Sequence, residues 1–208
     1  MSRFSRRHFL GFSAGAAGLA ACATPAGGDP LADNRPAFPG EASFDHGVAS
    51  GDPLSDRVIL WTRVTPADED ATAPVPVSLI VARDAGLTDI VGQALAEATP
   101  GRDFTVKVDM TGLDPATQYF YRFTAKTAAG DITSPVGRTK TLAASGTDPV
   151  KFAVISCSNW QFGYFNVYDD LGRMNDLDAI IHLGDYFYEY GVDGYGAETA
   201  QELGRFHE

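Results

Sequence analysis

DAIIHLGDYFY, at residues 178–188, is the stretch that decides the fold of the C-terminal part of the chain. Residues 178–183 form a short apolar run before a Gly-Asp pair, which is typical of a strand buried on both faces of a parallel sheet. Residues 151–156 form a similar run, and the apolar residues between the two runs recur at helical spacing over residues 163–175. The sequence therefore predicts a strand–helix–strand unit with two parallel strands.

Candidate metal ligands stand at the ends of these two strands. Cys157 directly follows the first strand, and Gly184 and Asp185 follow the second. In open α/β sheets ligands bind beyond the carboxyl ends of the strands. Neighbouring strands lie about 4.8 Å apart, a gap that metal bonds of roughly 2.0 Å to oxygen and 2.3 Å to sulfur can span. One ion could therefore bind both Cys157 and Asp185, and Tyr188 is close enough in sequence to reach the same point.

Other residues near the strand ends have weaker assignments. His182 alternates inward within its strand and is predicted to belong to the core. Asn159 and Trp160 lie near the predicted site, and Asn159 is a weak candidate for a substrate contact. No side chain is assigned a catalytic role of its own, because the expected chemistry is centred on the metal.

Residues 40–145 have a different pattern, with short strands separated by turn signals. A leucine, a turn that contains proline and then Tyr119-x-Tyr121 resemble the tyrosine corner of fibronectin type III domains. His46 and Asp52, in the loop-like residues 44–53, are expected to be turn or capping residues. We therefore predict a fibronectin type III-like β-sandwich, with strands at residues 57–64, 75–81, 104–108 and from Tyr119 onward, followed by a linker at residues 143–149.

The first 22 residues are expected to be an export signal. Arg6 and Arg7 precede an apolar stretch, residues 9–21, that is shorter than the roughly 20 residues a membrane-spanning helix needs. A basic start, a short apolar region and small residues at its end indicate a secretory signal of the twin-arginine kind.

Two cleavage sites fit the end of this signal. Residues 19–22 resemble a bacterial lipoprotein cleavage box, which would leave a lipidated Cys22 at the mature N-terminus. Residues 21–23 also fit an ordinary signal peptidase site. Residues 23–39, rich in Pro, Ala, Gly and Asp, predict a flexible tether.

Composition excludes some classes of protein. The formal net charge is −11, and the chain has no basic stretch of the kind that a nucleic-acid-binding surface needs. Because an acidic protein repels phosphate esters, hydrolysis of such substrates would require bound cations. The chain has two cysteines, so lipidation of Cys22 would leave Cys157 unpaired in an oxidising compartment.

The motifs together resemble a known family. Gly184 to Tyr188 resembles the Gly-Asp-x-x-Tyr element of binuclear metallophosphoesterases. Cys157 in place of the usual first Asp, together with HLGDYFYEY at residues 182–190, resembles the PhoD-type alkaline phosphatases. That family also begins with a twin-arginine signal and a small β-domain, whose Gly-Val-Ala-Ser-Gly-Asp-Pro and Trp-Thr-Arg elements are matched at residues 47–53 and 61–63.

This resemblance implies a function. PhoD-like enzymes hydrolyse phosphate monoesters and diesters with ferric iron and calcium. By resemblance, Cys157 and Tyr188 would bind the iron, and Asp185 would bridge iron and calcium. The partners implied are phosphate esters and the twin-arginine export machinery. The protein would be periplasmic, on the cell surface or secreted, and would touch a membrane only through a lipid anchor.

Half of the family's ligands find no match here. The family completes its site with an Asn and a later Asp/His cluster, and nothing after Tyr190 resembles them. Residues 150–208 are thus expected to be the start of a metallophosphatase domain, and the chain a fragment without hydrolase activity of its own. One alternative is a non-catalytic envelope lipoprotein that displays a β-sandwich binding module. Another is an enzyme similar to purple acid phosphatases, although that family keeps an Asp where this chain has Cys157.

Overall fold

The computed structural model describes residues 24–25, 32–146, 149–159, 164–186, 188, 190, 193–194, 197–202 and 204. The predicted export signal and Cys22 lie outside these residues. The chain divides into two compact units, Met1–Ser145 and Gly146–Glu208, and the boundary falls within the predicted linker. In the part of the chain that is described, no helix has the length and apolar character to cross a membrane.

The first unit is built from antiparallel strands. In chain order these are β1 (Thr24–Pro25), β2 (Ala42–Ser43), β3 (Val48–Gly51), β4 (Arg57–Arg63), β5 (Thr65–Pro66), β6 (Val75–Ala82), β7 (Ile90–Ala98), β8 (Thr105–Thr111), β9 (Gln118–Thr127), β10 (Gly130–Thr133) and β11 (Gly137–Lys140). A short 3₁₀ helix, Pro100–Arg102, lies between β7 and β8.

Two sheets share the core of this unit. The larger sheet has the order β1-β7-β6-β9-β10, with β11 also paired to β9, and the smaller sheet has the order β3-β4-β8. Alternate residues of β4 and β8 are buried, as a half-buried strand requires. Leu60 and Met110 of the smaller sheet belong to the same apolar cluster as Leu79 and Phe123 of the larger one. The predicted β-sandwich is therefore confirmed.

The predicted tyrosine corner is present at the start of β9. Tyr119 is completely buried, and its hydroxyl oxygen accepts a hydrogen bond of 2.8 Å from the backbone N–H of Asp114. This bond ties the turn before β9 to the strand itself, which is the role of the corner in related sandwiches.

Two stretches of the sandwich differ from their predictions. Residues 44–53 are not wholly a loop, because β3 pairs with β4 along one edge of the smaller sheet. His46 does lie in a turn and is exposed beside Arg63 and Thr65, whereas Asp52, between β3 and β4, has a positive φ of 46°. Strand β7 was not predicted, since its small residues and helix formers carry little strand propensity, and its pairing with β6 determines its conformation.

The tether predicted for residues 23–39 is wrong where the structure describes it. Strand β1 pairs with β7. The Arg35 guanidinium donates to a carboxylate oxygen of Asp33 at 2.8 Å and to the Val77 carbonyl at 3.0 Å. Phe38 is 3% exposed, and its N–H donates to the Lys126 carbonyl. One arginine and one phenylalanine thus hold a segment whose composition alone resembles a linker.

The second unit contains the predicted strand–helix–strand arrangement. Strands β12 (Phe152–Ile155) and β13 (Ala179–His182) pair in parallel, with Phe152 opposite Ala179 and Ile155 opposite His182. Helix α1 (Asn166–Arg173) lies between them in sequence, and α2 (Ala197–Glu202) follows. The wider assignment of this unit to a metallophosphoesterase-like domain stays a prediction at this point.

The burial predicted for this unit is wrong. Phe152, Val154 and Ile180 are each more than half exposed, and α1 buries none of its side chains. Apolar runs indicate what a strand can bury, but burial itself depends on the elements that cover the sheet. Helix α1 is also shorter than predicted, because Phe165 has φ of 52° and Met174 is extended.

Packing around Gly137 gives the first testable prediction. A Cβ atom at Gly137 would lie 2.3 Å from Cζ of the buried Tyr121, whereas one at Gly51 would meet nothing within 4 Å. Gly137→Ala is expected to lower the free energy of unfolding by about 1–3 kcal/mol, because it overpacks the core. Gly51→Ala, also in a strand, is the matched control and should change it by less than about 0.5 kcal/mol. Equal losses in denaturant titrations of the two variants would contradict this packing.

The same tyrosine predicts a loss of stability in alkali. Burial raises the pKa of Tyr121 to about 12, and a hydrogen bond with Ser50 acts in the opposite direction. The unfolded chain loses this proton near pH 10, so the stabilisation is complete below pH 10 and is lost as the pH rises to about 12. The loss amounts to roughly 3 kcal/mol. The difference in unfolding free energy between wild type and Tyr121→Phe, measured from pH 9 to 12, should shrink accordingly; a constant difference would be evidence against it.

Candidate metal centre

The backbone pairing of β12 and β13 continues beyond the two strands. The Leu183 N–H donates to the Ile155 carbonyl at 2.8 Å, and the Cys157 N–H donates to the Gly184 carbonyl at 3.1 Å. One residue further, the Ser158 N–H donates to the Asp185 carbonyl at 2.8 Å. These bonds hold the loop after β12 beside the turn after β13.

Three residues that follow the two strands have positive φ angles. Cys157 has φ of 62°, Gly184 of 122° and Asp185 of 51°. Positive φ is uncommon for residues other than glycine, and such conformations cluster at functional sites because the surrounding structure must maintain them. Here the backbone bonds between the two strand ends maintain them.

The Cys157 and Asp185 side chains meet at the strand ends. The Cys157 thiol donates to Oδ2 of Asp185 across 3.4 Å. Typical metal bonds of about 2.3 Å to sulfur and 2.0 Å to oxygen place the two ligand atoms about 3.0–3.5 Å apart, for angles between 90° and tetrahedral. The observed separation lies within that range, so the two groups fit the coordination sphere of a single ion without rearrangement.

Tyr188 completes the group of predicted ligands. A hydrogen bond with the Cys157 side chain, then partial burial and a hydrogen bond with Asp185, raise the pKa of Tyr188 above its usual range. The rings of Tyr188 and Tyr190 stack with their centroids 5.4 Å apart. The structure therefore brings together all three side chains that the sequence analysis named, and the Tyr188 phenol is protonated in the absence of a cation.

The chemistry of this group fits a highly charged cation. The thiol, carboxyl and phenol each become an anionic ligand when deprotonated. A bound cation would lower the pKa of the Tyr188 phenol, which is protonated without one. Among the described residues, no group of three or more His, Cys, Asp or Glu side chains could hold a metal ion. The third member of the set described here is a tyrosine, which lies outside those four residue types.

A second polar cluster lies beside the first, and the sequence analysis did not predict it. The prediction that His182 belongs to the core is wrong, because its side chain is only half-buried and contacts polar groups. Its Nε2 atom lies 3.4 Å from Ser158 Oγ and 3.3 Å from the Tyr168 hydroxyl. Ser158 and Tyr168 also form a hydrogen bond with each other. The cluster could have been predicted from sequence positions. His182 and Ser158 lie at or just after the ends of the two strands, and Tyr168 lies on the helix between those strands.

The hydrogen bond at Nδ1 indicates the tautomer of the His182 ring. Nδ1 accepts a hydrogen bond of 3.3 Å from the Gly184 N–H, so the proton of the neutral ring lies on Nε2. A protonated Nε2 cannot accept the Ser158 proton, as a general base in a serine hydrolase must. The Ser158–His182 pair is therefore not arranged for nucleophilic catalysis by serine.

An open cleft of about 550 Å³ adjoins the candidate ligands. Cys157, Ser158 and Asn159 line one side, and residues of α1 and the preceding turn line the other. Its volume is within the range of small-molecule sites. Asn159 thus lies where the sequence analysis expected it, although its contact with a substrate stays a prediction.

Comparison with known proteins identifies the family. The model of the PhoD-like phosphatase N-terminal domain matches residues 28–143, and that of the PhoD-like phosphatase matches residues 152–208. The chain belongs to the PhoD-like phosphatase family. The resemblance inferred from the motifs is therefore confirmed.

Two relatives define how much of the family's length this chain covers. Alkaline phosphatase D of Bacillus subtilis (strain 168) is 41% identical over 162 residues, which are 75% of this chain and 27% of that protein. A solved structure of PhoD is 40% identical, with a TM-score of 0.64, over 77% of this chain and 30% of its own. The chain thus spans less than a third of the length of either PhoD relative.

The turn at Gly184 gives a testable prediction about this PhoD-family site. Any side chain at φ of 122° is strained by about 1–3 kcal/mol. Gly184→Ala should therefore speed hydrogen exchange at the Cys157 and Ser158 amides by roughly 5- to 150-fold. Gly172→Ala, in α1 where an added Cβ meets nothing, should leave both amides unchanged. Unaltered exchange in Gly184→Ala would show that the turn does not hold the two strand ends together.

Proposed function

We propose that the protein carrying this chain is an exported, metal-dependent alkaline phosphatase or phosphodiesterase that hydrolyses phosphate esters at a site for ferric iron and calcium. The observation that carries this proposal is the convergence of Cys157 Sγ and Asp185 Oδ2 across 3.4 Å, beside a Tyr188 phenol whose pKa both side chains raise. Membership of the PhoD-like family supplies the chemical context.

Each ligand has a role in this proposal. The Cys157 thiolate and the Tyr188 phenolate would hold the iron, and the Asp185 carboxylate would be a ligand of both the iron and the calcium. Three anionic groups balance the charge of a trivalent ion, and the metal bond protects the unpaired thiol from oxidation. When bound, the cations polarise the phosphoryl group and neutralise charge on the attacking and leaving oxygens.

The residues of the chain prepare the site for these ions. The turn at Gly184 and the pairing of the strand ends fix Cys157 and Asp185 at ligand spacing before any ion binds, so little reorganisation is needed. Binding of a cation at these ligands would release the Tyr188 proton to solvent. Asn159, on the wall of the cleft, has amide N–H groups that can donate to the oxygens of a phosphate ester.

Export belongs to the same proposal. The arginine pair Arg6 and Arg7 followed by a short apolar stretch directs the protein to the twin-arginine export machinery. Because this route carries folded proteins, the iron can be inserted before export. Cys22 is the proposed lipid attachment site, which would hold the enzyme at a membrane surface outside the cytoplasm.

The 208-residue chain alone is proposed to lack turnover. Its described residues bring together one group of three candidate metal ligands, whereas the proposed reaction uses two cations. The apolar faces of β12 and β13 are also exposed, so the cleft is not closed to water. Activity is therefore assigned to the complete protein that the cell produces.

Substitution of the ligands in that complete protein tests the function. Cys157→Ala and Tyr188→Phe should each lose iron and its visible charge-transfer absorption, and kcat/KM for an aryl phosphate should fall by about 100-fold or more. Tyr186→Phe is the matched control, because this side chain is 72% exposed and phenylalanine keeps its ring contact with His182. It should retain iron, colour and turnover.

The opposite results would decide against the proposal. Iron and activity retained in Cys157→Ala would remove the assigned role of the thiolate. A wild-type protein that neither binds iron nor hydrolyses phosphate esters would leave the β-sandwich as a binding module in the envelope.

A further inference from the structure

We propose that His182 is a positioning residue of the metal centre, whose imidazole links the loop after β12 to the turn after β13 and so sets the spacing of Cys157 and Asp185. This inference rests on the proposed function, which it deepens by assigning a residue outside the ligand set. It arises from the polar cluster of His182, Ser158, Tyr168 and Gly184, termed here the imidazole link.

The imidazole link joins three separate segments of the chain. Nδ1 of His182 accepts from the Gly184 N–H at 3.3 Å, on the turn after β13. Nε2 lies 3.4 Å from Ser158 Oγ, on the loop after β12, and 3.3 Å from the Tyr168 hydroxyl, on α1. The Tyr186 ring packs edge-to-face with the imidazole at a centroid distance of 5.2 Å. The ring is therefore held on several sides.

The two linked residues are direct neighbours of the candidate ligands. Ser158 follows Cys157, and Gly184 precedes Asp185. Both Cys157 and Asp185 have positive φ angles, which are unfavourable for residues other than glycine, so a backbone rotation that relieved this strain would displace the side chain. An imidazole that holds Ser158 and Gly184 restricts such rotations in both loops at once.

The open surroundings of the site make this link important. Strands β12 and β13 have four residues each, and their apolar residues are largely exposed. Core packing within the described part of this unit therefore contributes little to the spacing of the two loops. The backbone bonds between the strand ends fix the path of the chain, and the imidazole link adds a side-chain constraint beside the ligands, as hydrogen-bonded neighbours of metal ligands commonly do.

Amide side chains can separate the two halves of the link. The side-chain oxygen of asparagine can occupy the position of Nδ1, so His182→Asn keeps an acceptor for the Gly184 N–H. The amide nitrogen of glutamine can reach the position of Nε2, so His182→Gln keeps a donor towards Ser158 and Tyr168. His182→Leu removes both functions at similar volume.

The test uses the complete protein, stripped of metal and titrated with ferric iron. His182→Leu should bind iron roughly 10- to 100-fold more weakly than wild type and with a shifted charge-transfer band. His182→Asn should recover most of the affinity, because the acceptor on Gly184 holds the turn that carries Asp185. His182→Gln should recover less. A residue that only supports folding would not produce this order among variants that fold equally well by circular dichroism.

A second readout needs no metal. In the metal-free protein, ¹⁵N NMR of the histidine rings should show the His182 signals, identified by their loss in His182→Asn, as the tautomer protonated at Nε2. A ring protonated at Nδ1 could not accept from Gly184, and the inference would then be overturned whatever the metal data show.

The outcomes separate this inference from the proposed function. If wild type binds iron through Cys157 and His182→Leu binds it equally well with the same band, the positioning role fails and the proposed function stands. If wild type binds no iron, both fail. If His182→Leu does not fold, the remaining pair decides: tighter binding by His182→Asn supports the inference, and equal or weaker binding than in His182→Gln contradicts it.

Discussion

Parallel pairing of two four-residue strands is the constraint on which the rest of the site depends. Because β12 and β13 run in the same direction, their carboxyl ends lie side by side, and residues far apart in sequence meet there. Backbone hydrogen bonds extend this pairing to Cys157 and Ser158. A shift of register by one residue would separate the thiol from the carboxylate, and no other described contact would restore the set.

Electrostatics connects this geometry to the proposed chemistry. A chain of net charge −11 repels phosphate esters, and the acidic ligand set at the strand ends adds to that repulsion. Bound cations change the sign of the local potential and convert the same groups from an obstacle into a binding site. A protonated Tyr188 limits the negative charge of the ligand set before cations bind.

The sequence predicted the features that depend on residues close together in the chain better than the features that depend on contacts with distant segments. The tyrosine corner at Tyr119 and the convergence of Cys157, Asp185 and Tyr188 follow from residues at fixed positions relative to strand ends. The exposure of Phe152, the strand pairing of Ile90–Ala98 and the docking of Phe38 depend on what the rest of the chain provides. His182 was assigned to the core because alternation along a strand predicts only which face of the sheet a side chain lies on. Its hydrogen bonds depend on Ser158 and Tyr168, which belong to other segments.

Iron K-edge X-ray absorption of the complete protein tests the central claim most directly, since it reports the ligands of the ion itself. The account predicts one sulfur ligand at a distance of about 2.3 Å, with oxygen in the rest of the first coordination sphere, and loss of the sulfur signal in Cys157→Ala. An iron site with only oxygen and nitrogen ligands in the wild-type protein would contradict it.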